Sequence, residues 1–153
     1  MQVFCRKAIE SDCEILKLLE QEARANLDHF RGGSRLAEEV RVVGDNWPKQ
    51  ILEASTVVLV AGVDSVVMGF IVARRGVSDS RKFSTIEQVF VTHDARNIGI
   101  GDALVAAIIA WARSEAMVAL DALALPGDRE TKNLFERSGL VARLIVATTD
   151  LSN

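Results

Sequence analysis

The 153-residue chain contains no tyrosine and only two cysteines, two histidines and two prolines. Without tyrosine, no phenolic hydroxyl is available for proton transfer. Cys5 and Cys13 stand alone, with neither Cys-x-x-Cys spacing nor a His/Cys cluster, so we expect no metal site and two reduced thiols in a cytoplasmic protein. The sequence also has no Gly-x-Ser-x-Gly elbow and no Cys/His pair for nucleophilic catalysis.

Long apolar runs and a strong net charge are also missing. The first thirteen residues have no apolar signal core, and the most apolar segment, residues 103–112, is shorter than the roughly 18 residues of a membrane span. A formal net charge of -3 argues against broad nucleic-acid binding. With 49% hydrophobic and 25% charged residues and no repeat or linker, we expect one globular domain over residues 1–153.

The periodicity of apolar residues predicts six strands and four helical regions. Alternating or β-branched runs predict strands at residues 2–9, 56–62, 65–75, 83–92, 117–125 and 140–151. Helical spacing predicts a first helix that runs to about Asp28, an interrupted helical region over 36–54, and helices over 101–116 and 129–138. The order β-α-α-β-β-β-α-β-α-β predicts an α/β domain whose mixed sheet has helices on both faces.

The stretch VFVTHDARNIGIGDALVAA, residues 89–107, joins the fourth strand to a helix through a turn with two close glycines. The glycines allow close approach of a ligand, and the free amides at the helix start favour an anion such as a phosphate or pyrophosphate. A dinucleotide fold would need glycine where Leu104 stands, and a Walker loop would need Gly-Lys before Ser or Thr. A glycine-rich helix start that binds no ligand remains an alternative.

The spacing Arg-x-x-Gly-x-Gly, after a strand with the pattern Glu-x-Val-x-Val, resembles the GNAT superfamily of acyl-CoA N-acyltransferases. Residues MGFI in the third strand, LFERSGL at 134–140 and the order of the elements extend the resemblance over nearly the whole chain. It implies a single-domain GNAT fold with a mixed, mostly antiparallel sheet of six to seven strands. About four helices would cover both faces, and strands 4 and 5 would splay apart at one end.

The resemblance also implies that the co-substrate is acetyl-CoA. Main-chain groups of the fourth strand would bind the pantetheine arm, and the turn would hold the pyrophosphate. The residue after the fifth strand would contact the arm, and the last helix would reach the thioester or the nucleotide. The corresponding positions are Val89, Phe90 and Val91 in the strand; Arg96, Asn97, Ile98, Gly99, Ile100, Gly101 and Asp102 in the turn; and Asp128, Lys132 and Asn133 beyond the fifth strand.

Amide formation from a thioester requires removal of a proton from the amine. By the resemblance, Glu87 is the candidate base or substrate orienter, and period-two alternation places it on the face of Val89 and Val91. The alternative is a carboxylate paired with a nearby arginine. The family's usual tyrosine acid is replaced by Phe135, so Ser138 is the candidate donor to the thiolate, directly or through water; the alternative is that Ser138 belongs to the polar surface of its helix. His93 is either a proton relay or an exposed loop residue.

The acceptor would be a small-molecule or peptide amine, held by the first two helices and their loop. In that region Arg31 or Arg35 can hold an acceptor carboxylate and Trp47 can wall the pocket, or all three serve packing or lie on the surface. We expect no nucleic-acid or membrane partner, and members of the family often form homodimers. Because the tyrosine is missing, an acyl-CoA-binding regulatory or sensor protein with little turnover is the alternative function.

Overall fold

A five-stranded sheet in chain order forms the centre of the molecule, which the computed structural model describes over residues 1–152. Neighbouring strands are antiparallel, except that the last two are parallel. The predicted mixed sheet is therefore confirmed. Its strands are β1 (Val3–Lys7), β2 (Thr56–Val63), β3 (Val66–Ser78), β4 (Arg81–Val91) and β5 (Ala119–Ala122).

Five α-helices cover the two faces of the sheet. One face carries the helix that follows the glycine turn and the last helix, and the other carries the helices that precede β2. The predicted region over 36–54 forms two short, separate helices. The helices are α1 (Cys13–Leu27), α2 (Gly33–Glu39), α3 (Trp47–Gln50), α4 (Ile100–Ser114) and α5 (Arg129–Arg137).

Two apolar layers sandwich the sheet. Strand β2 is buried along its whole length, which agrees with its unbroken apolar sequence. Ile71 and Ala73 point toward α4, where Leu104 and Ile108 are fully buried. On the opposite face Phe70 packs edge-on against Trp47, with ring centroids 5.8 Å apart. Alternate residues of one strand thus supply both layers.

The prediction of six to seven strands is wrong, because residues 140–151 form no strand. The residues of this segment from 141 onward are exposed, and within the described chain the main chain of the segment makes no hydrogen bond to the sheet. Its apolar alternation is typical of a strand, but a strand exists only where a neighbour supplies hydrogen-bond partners. Strand β5, at the edge of the sheet, is also shorter than the predicted 117–125.

No helix within residues 1–152 has the length and apolar character needed to cross a bilayer.

The connection from α2 to α3 is held by a buried carboxylate. Glu20 of α1 is 1% exposed, and its two oxygens accept the amides of Val43 and Gly44 at 2.9 and 2.8 Å. Arg24, one turn later, donates to the carbonyls of Ala37 and Val40 at the end of α2. Side chains of α1 therefore fix the position of α2 and of the segment that follows it.

We expect Glu20→Ala to destabilise the fold by about 2 kcal/mol, since it leaves two partly buried amides without acceptors. The free energy of unfolding, measured by urea denaturation, checks this value. Glu38→Ala is the matched control, because Glu38 is exposed. Equal stability of the two variants would contradict the proposed role of the Glu20 carboxylate.

Candidate functional site

Strand β5 ends opposite Ile86, halfway along β4, and a cavity of about 260 Å³ lies beside the rest of β4. The parallel pairing with β5 covers only residues 83–86, whereas pairing with β3 continues to Val91. The cavity lies beside residues 87–91, between the helices α1 and α2, the glycine turn and the start of α5. All four residues of β5 pair with β4, so the opening begins where β5 ends, and the splay implied by the sequence resemblance stays a prediction.

The main chain of Val89 and Val91 faces this opening. The amide of Thr92 donates to Met68 of β3 at 2.9 Å, so alternation directs the main-chain groups of Phe90 toward β3 and those of Val89 and Val91 away from it. The Phe90 side chain is 8% exposed and packs on the layer of Trp47. Of the three predicted strand residues, Val89 and Val91 therefore turn their main chain toward the cavity. The carbonyl of Val91 accepts from Arg96, which leaves the Val91 amide and the main-chain groups of Val89 available to a ligand.

The turn after β4 presents a row of free amides. Asn97 and Gly99 both have left-handed backbones, with φ of 65° and 93°. The first helical hydrogen bond runs from the amide of Ala103 to the carbonyl of Gly99, and within the described chain the amides of residues 97–102 have no acceptor. These amides lie at the positive end of the α4 dipole, an arrangement that binds anions.

The two glycines of the turn have different roles. A side chain at Gly99 would meet no atom within 4 Å, so the positive φ is what favours glycine there. A Cβ at Gly101 would lie 3.2 Å from the Leu134 side chain, so this glycine allows α5 to pack closely on α4. Packing of α5, rather than access for a ligand, therefore explains Gly101.

Two ion pairs flank the turn. Arg96 donates to the carbonyl of Val91 at 3.1 Å and to Glu130 of α5, while Arg137 of α5 binds Asp102 at 3.0 and 3.2 Å. The pair with Arg137 holds the Asp102 carboxylate, which makes no hydrogen bond to the helix amides. The acidic side chain in the first turn of α4 therefore leaves the amides free.

Sequence analysis did not identify Arg137 or Glu130, both of which line the cavity. Their partners lie 35 and 34 residues away in the chain, beyond the range of any local pattern. The hydrogen bond to Asp102 raises the pKa of Arg137, so this side chain stays cationic beside the turn.

Two of the three predicted positions beyond β5 line the cavity, and the third does not. Asp128 lines the cavity and caps α5, where its carboxylate accepts the Thr131 amide at 3.1 Å. Asn133 also lines the cavity, whereas Lys132 does not and donates to the carbonyl of Pro126 at 3.1 Å. Asp128 and Asn133 are thus brought to the turn, and Lys132 points elsewhere.

Glu87 lies in a β-bulge, which changes the face it occupies. Ile86 pairs with Ala73 and Gln88 pairs with Val72, so Glu87 has no partner across the ladder. The extra residue shifts the alternation: Ile86 and Val89 pack in the same layer although they are three residues apart. The prediction that Glu87 shares a face with Val89 is therefore wrong.

The Glu87 carboxylate lines the cavity from the side of α1 and α2 and is paired with Arg74 of β3. Arg74 Nε donates to Oε1 and Nη2 to Oε2, and this bond raises the pKa of Arg74. The side chain of Glu87 remains 29% exposed. A carboxylate that is ion-paired and also open to the cavity fits both alternatives from the sequence: a base or substrate orienter, and a carboxylate paired with a nearby arginine.

Phe135 and Ser138, the two positions considered for thiolate protonation, do not line the cavity. Phe135 is 6% exposed within the layer under α4. The Ser138 hydroxyl donates to the carbonyl of Leu134 at 2.8 Å, one turn earlier in α5. Ser138 therefore has its proton engaged within its own helix.

On the acceptor side, the structure does not bring Arg31 or Trp47 to the cavity. Trp47 is fully buried against Phe70, and Arg31 is exposed in the loop after α1. Arg35 pairs with Glu39 on the surface of α2. Leu36 and Val40, which the sequence analysis passed over, line the cavity instead, and their four-residue spacing on α2 was the available signal.

His93 begins a short 3₁₀ turn, and its amide donates to Glu22 of α1 at 3.2 Å. The described residues contain no cluster of three His, Cys, Asp or Glu side chains that would hold a metal ion.

Comparison with solved structures supports the fold. A transcriptional regulator from Bacillus halodurans C-125 is 19% identical, with a TM-score of 0.74 over 98% of this chain and 100% of that one. Ribosomal-protein-alanine N-acetyltransferase from Brucella melitensis biovar Abortus 2308 is 17% identical, with a TM-score of 0.69 over 99% and 100%. AAC(6')-Iy in complex with the bisubstrate analogue CoA-S-monomethyl-acetylneamine is 17% identical, with a TM-score of 0.68 over 98% and 99%.

Comparison with curated protein sequences finds no match. The sequence model of the Acetyltransferase (GNAT) family, in contrast, matches residues 22–140, which include β4, the glycine turn and α5. The match covers more than half of the chain, and the fold agrees with it over nearly the whole length. The chain is therefore a member of the GNAT acetyltransferase family.

Proposed function

We propose that the protein is an N-acetyltransferase that moves the acetyl group of acetyl-CoA to a primary amine. The observation that carries the proposal is the open edge of β4 beside a row of unbonded amides. Residues 97–102 present those amides to a pyrophosphate, and Val89 and Val91 offer main-chain partners to a pantetheine arm. Asp128 and Asn133 line the same channel.

In this proposal the amine attacks the thioester carbonyl directly in a ternary complex. A C–N bond forms, the C–S bond breaks, and Glu87 accepts the proton that the amine loses, directly or through water. An amide of Val89 or Val91 donates to the carbonyl oxygen as negative charge develops there. The thiolate leaves without a phenolic acid, because a thiol with a pKa of roughly 8.5 is a competent leaving group.

The second candidate function is an acyl-CoA-binding regulatory protein with little turnover. Two observations favour it: Phe135 is buried where the family's usual acid is a tyrosine, and Ser138 uses its hydroxyl within α5. Glu87 is also paired with Arg74. Both functions require CoA binding, and only the enzyme forms an acetylated amine.

We expect CoA and acetyl-CoA to stabilise the protein in thermal denaturation, by roughly 2.7 kcal/mol at 100 times the dissociation constant. NADH and ATP are the comparison ligands. No shift with any CoA would contradict both candidate functions.

We expect Gly99→Ala to weaken CoA binding, since a side chain at φ of 93° distorts the row of amides. The substitution also costs about 1–2 kcal/mol of stability. Gly76→Ala is the matched control, because a Cβ there meets equally open space in a strand without a positive φ. Isothermal titration calorimetry measures the two affinities. Equal CoA affinities of the two variants would show that the turn is not part of the CoA-binding site.

We expect Glu87→Gln to lower kcat/KM about 100-fold near neutral pH and by a smaller factor at alkaline pH, where the amine is already neutral, because the amide cannot accept the amine proton. Formation of free CoA thiol, followed at several pH values, checks both effects. Glu136→Gln, on an exposed position of α5, is the control. A Glu87→Gln variant with an unchanged pH profile would exclude this residue as the base.

A further inference from the structure

The half of the cavity next to α1 and α2 is apolar. Six large apolar side chains converge on it from α1, the loop after α1, α2 with its C-terminal end, and the loop after β5, and all remain partly exposed. Convergent, partly exposed apolar groups around a concave opening are typical of a ligand site. These residues are Leu27, Phe30, Leu36, Val40, Leu123 and Leu125.

The loops that carry these side chains are in close contact. A Cβ at Gly127 would lie 3.7 Å from the Phe30 ring, and a Cβ at Gly32 would lie 3.7 Å from the Leu125 side chain. The loop after α1 therefore packs against the loop after β5, and together they wall the apolar half.

Charge in this half is low and balanced. Among the described residues lining it, Glu87 is the carboxylate and Arg24 is the cation. Arg74 is ion-paired with Glu87, and Arg24 is directed to the carbonyls of Ala37 and Val40. The other carboxylates that line the cavity, Asp102, Asp128 and Glu130, are all engaged.

A polycation that entered the apolar half would lose the water that solvates its charges. It would find no set of carboxylates there to take the place of that water. A monoamine with an apolar body would bury that body against the apolar walls and place its single nitrogen near Glu87. We infer, on the basis of the proposed function, that the acceptor is a monoamine with an aliphatic or aromatic body rather than an aminoglycoside or a polyamine.

The test compares kcat/KM for 2-phenylethylamine and leucinamide with kcat/KM for spermidine and kanamycin at a fixed acetyl-CoA concentration. We expect the monoamines to be preferred at least tenfold. Preference for the polycations would overturn this inference and leave the proposed acetyltransferase activity intact. If CoA binds but no amine is acetylated, the proposed function fails and this inference fails with it.

Substitution of a wall residue gives a second readout. Leu36→Asp adds a carboxylate to the apolar half, so we expect it to lower kcat/KM for 2-phenylethylamine and to raise it for spermidine. Leu52→Asp, at a position that is 83% exposed and outside the cavity, is the control. Phe30→Ala, which adds no charge, should lower kcat/KM for 2-phenylethylamine and leave kcat/KM for spermidine unchanged. Unchanged selectivity in both wall variants would overturn the assignment.

Discussion

The bulge at Glu87 is the constraint on which the site depends. Strand β4 must pair with β3 along its whole length and with β5 along only its first part. One additional residue in β4 bends the strand and reverses its alternation, so that residues before and after it face different neighbours. Beyond the bulge β5 has ended, so that edge of β4 is free and the cavity lies beside it.

Packing around the glycine turn keeps that space open. Gly99 starts α4 from a left-handed backbone, and Gly101 brings α5 close to α4 through Leu134. The ion pairs of Arg96 and Arg137 then join the turn to α5. On the other side, Glu20 and Arg24 of α1 hold α2 and the segment after it. The walls are thus fixed from both sides.

Local patterns were sufficient to predict most of the fold. The apolar periodicity of β2, β4, α4 and α5 survives in the structure with boundaries shifted by one or two residues. The turn was also predictable, since glycine spacing reflects backbone geometry within a few residues. The sixth strand is missing for a physical reason: alternation describes which residues suit a strand but does not supply the neighbouring strand that would pair with them.

The site was less predictable because its geometry depends on distant contacts. Nothing in the composition of residues 86–89 marks a bulge, so Glu87 was assigned to the wrong face. Trp47 looked like a pocket wall from its place in the chain, but its size favoured the core, where it packs on Phe70. Arg137 and Glu130 reach the turn only because α5 crosses it.

The position of Arg96 has a thermodynamic consequence. Its guanidinium joins the end of β4 to Glu130 of α5, directly beside the free amides. If an anion bound at those amides draws Arg96 away from Glu130, its affinity includes the free energy of separating the ion pair. Salt that screens the pair lowers that cost and at the same time weakens the attraction of the anion. The net dependence of affinity on ionic strength is accordingly shallower than the charge of the anion alone would give.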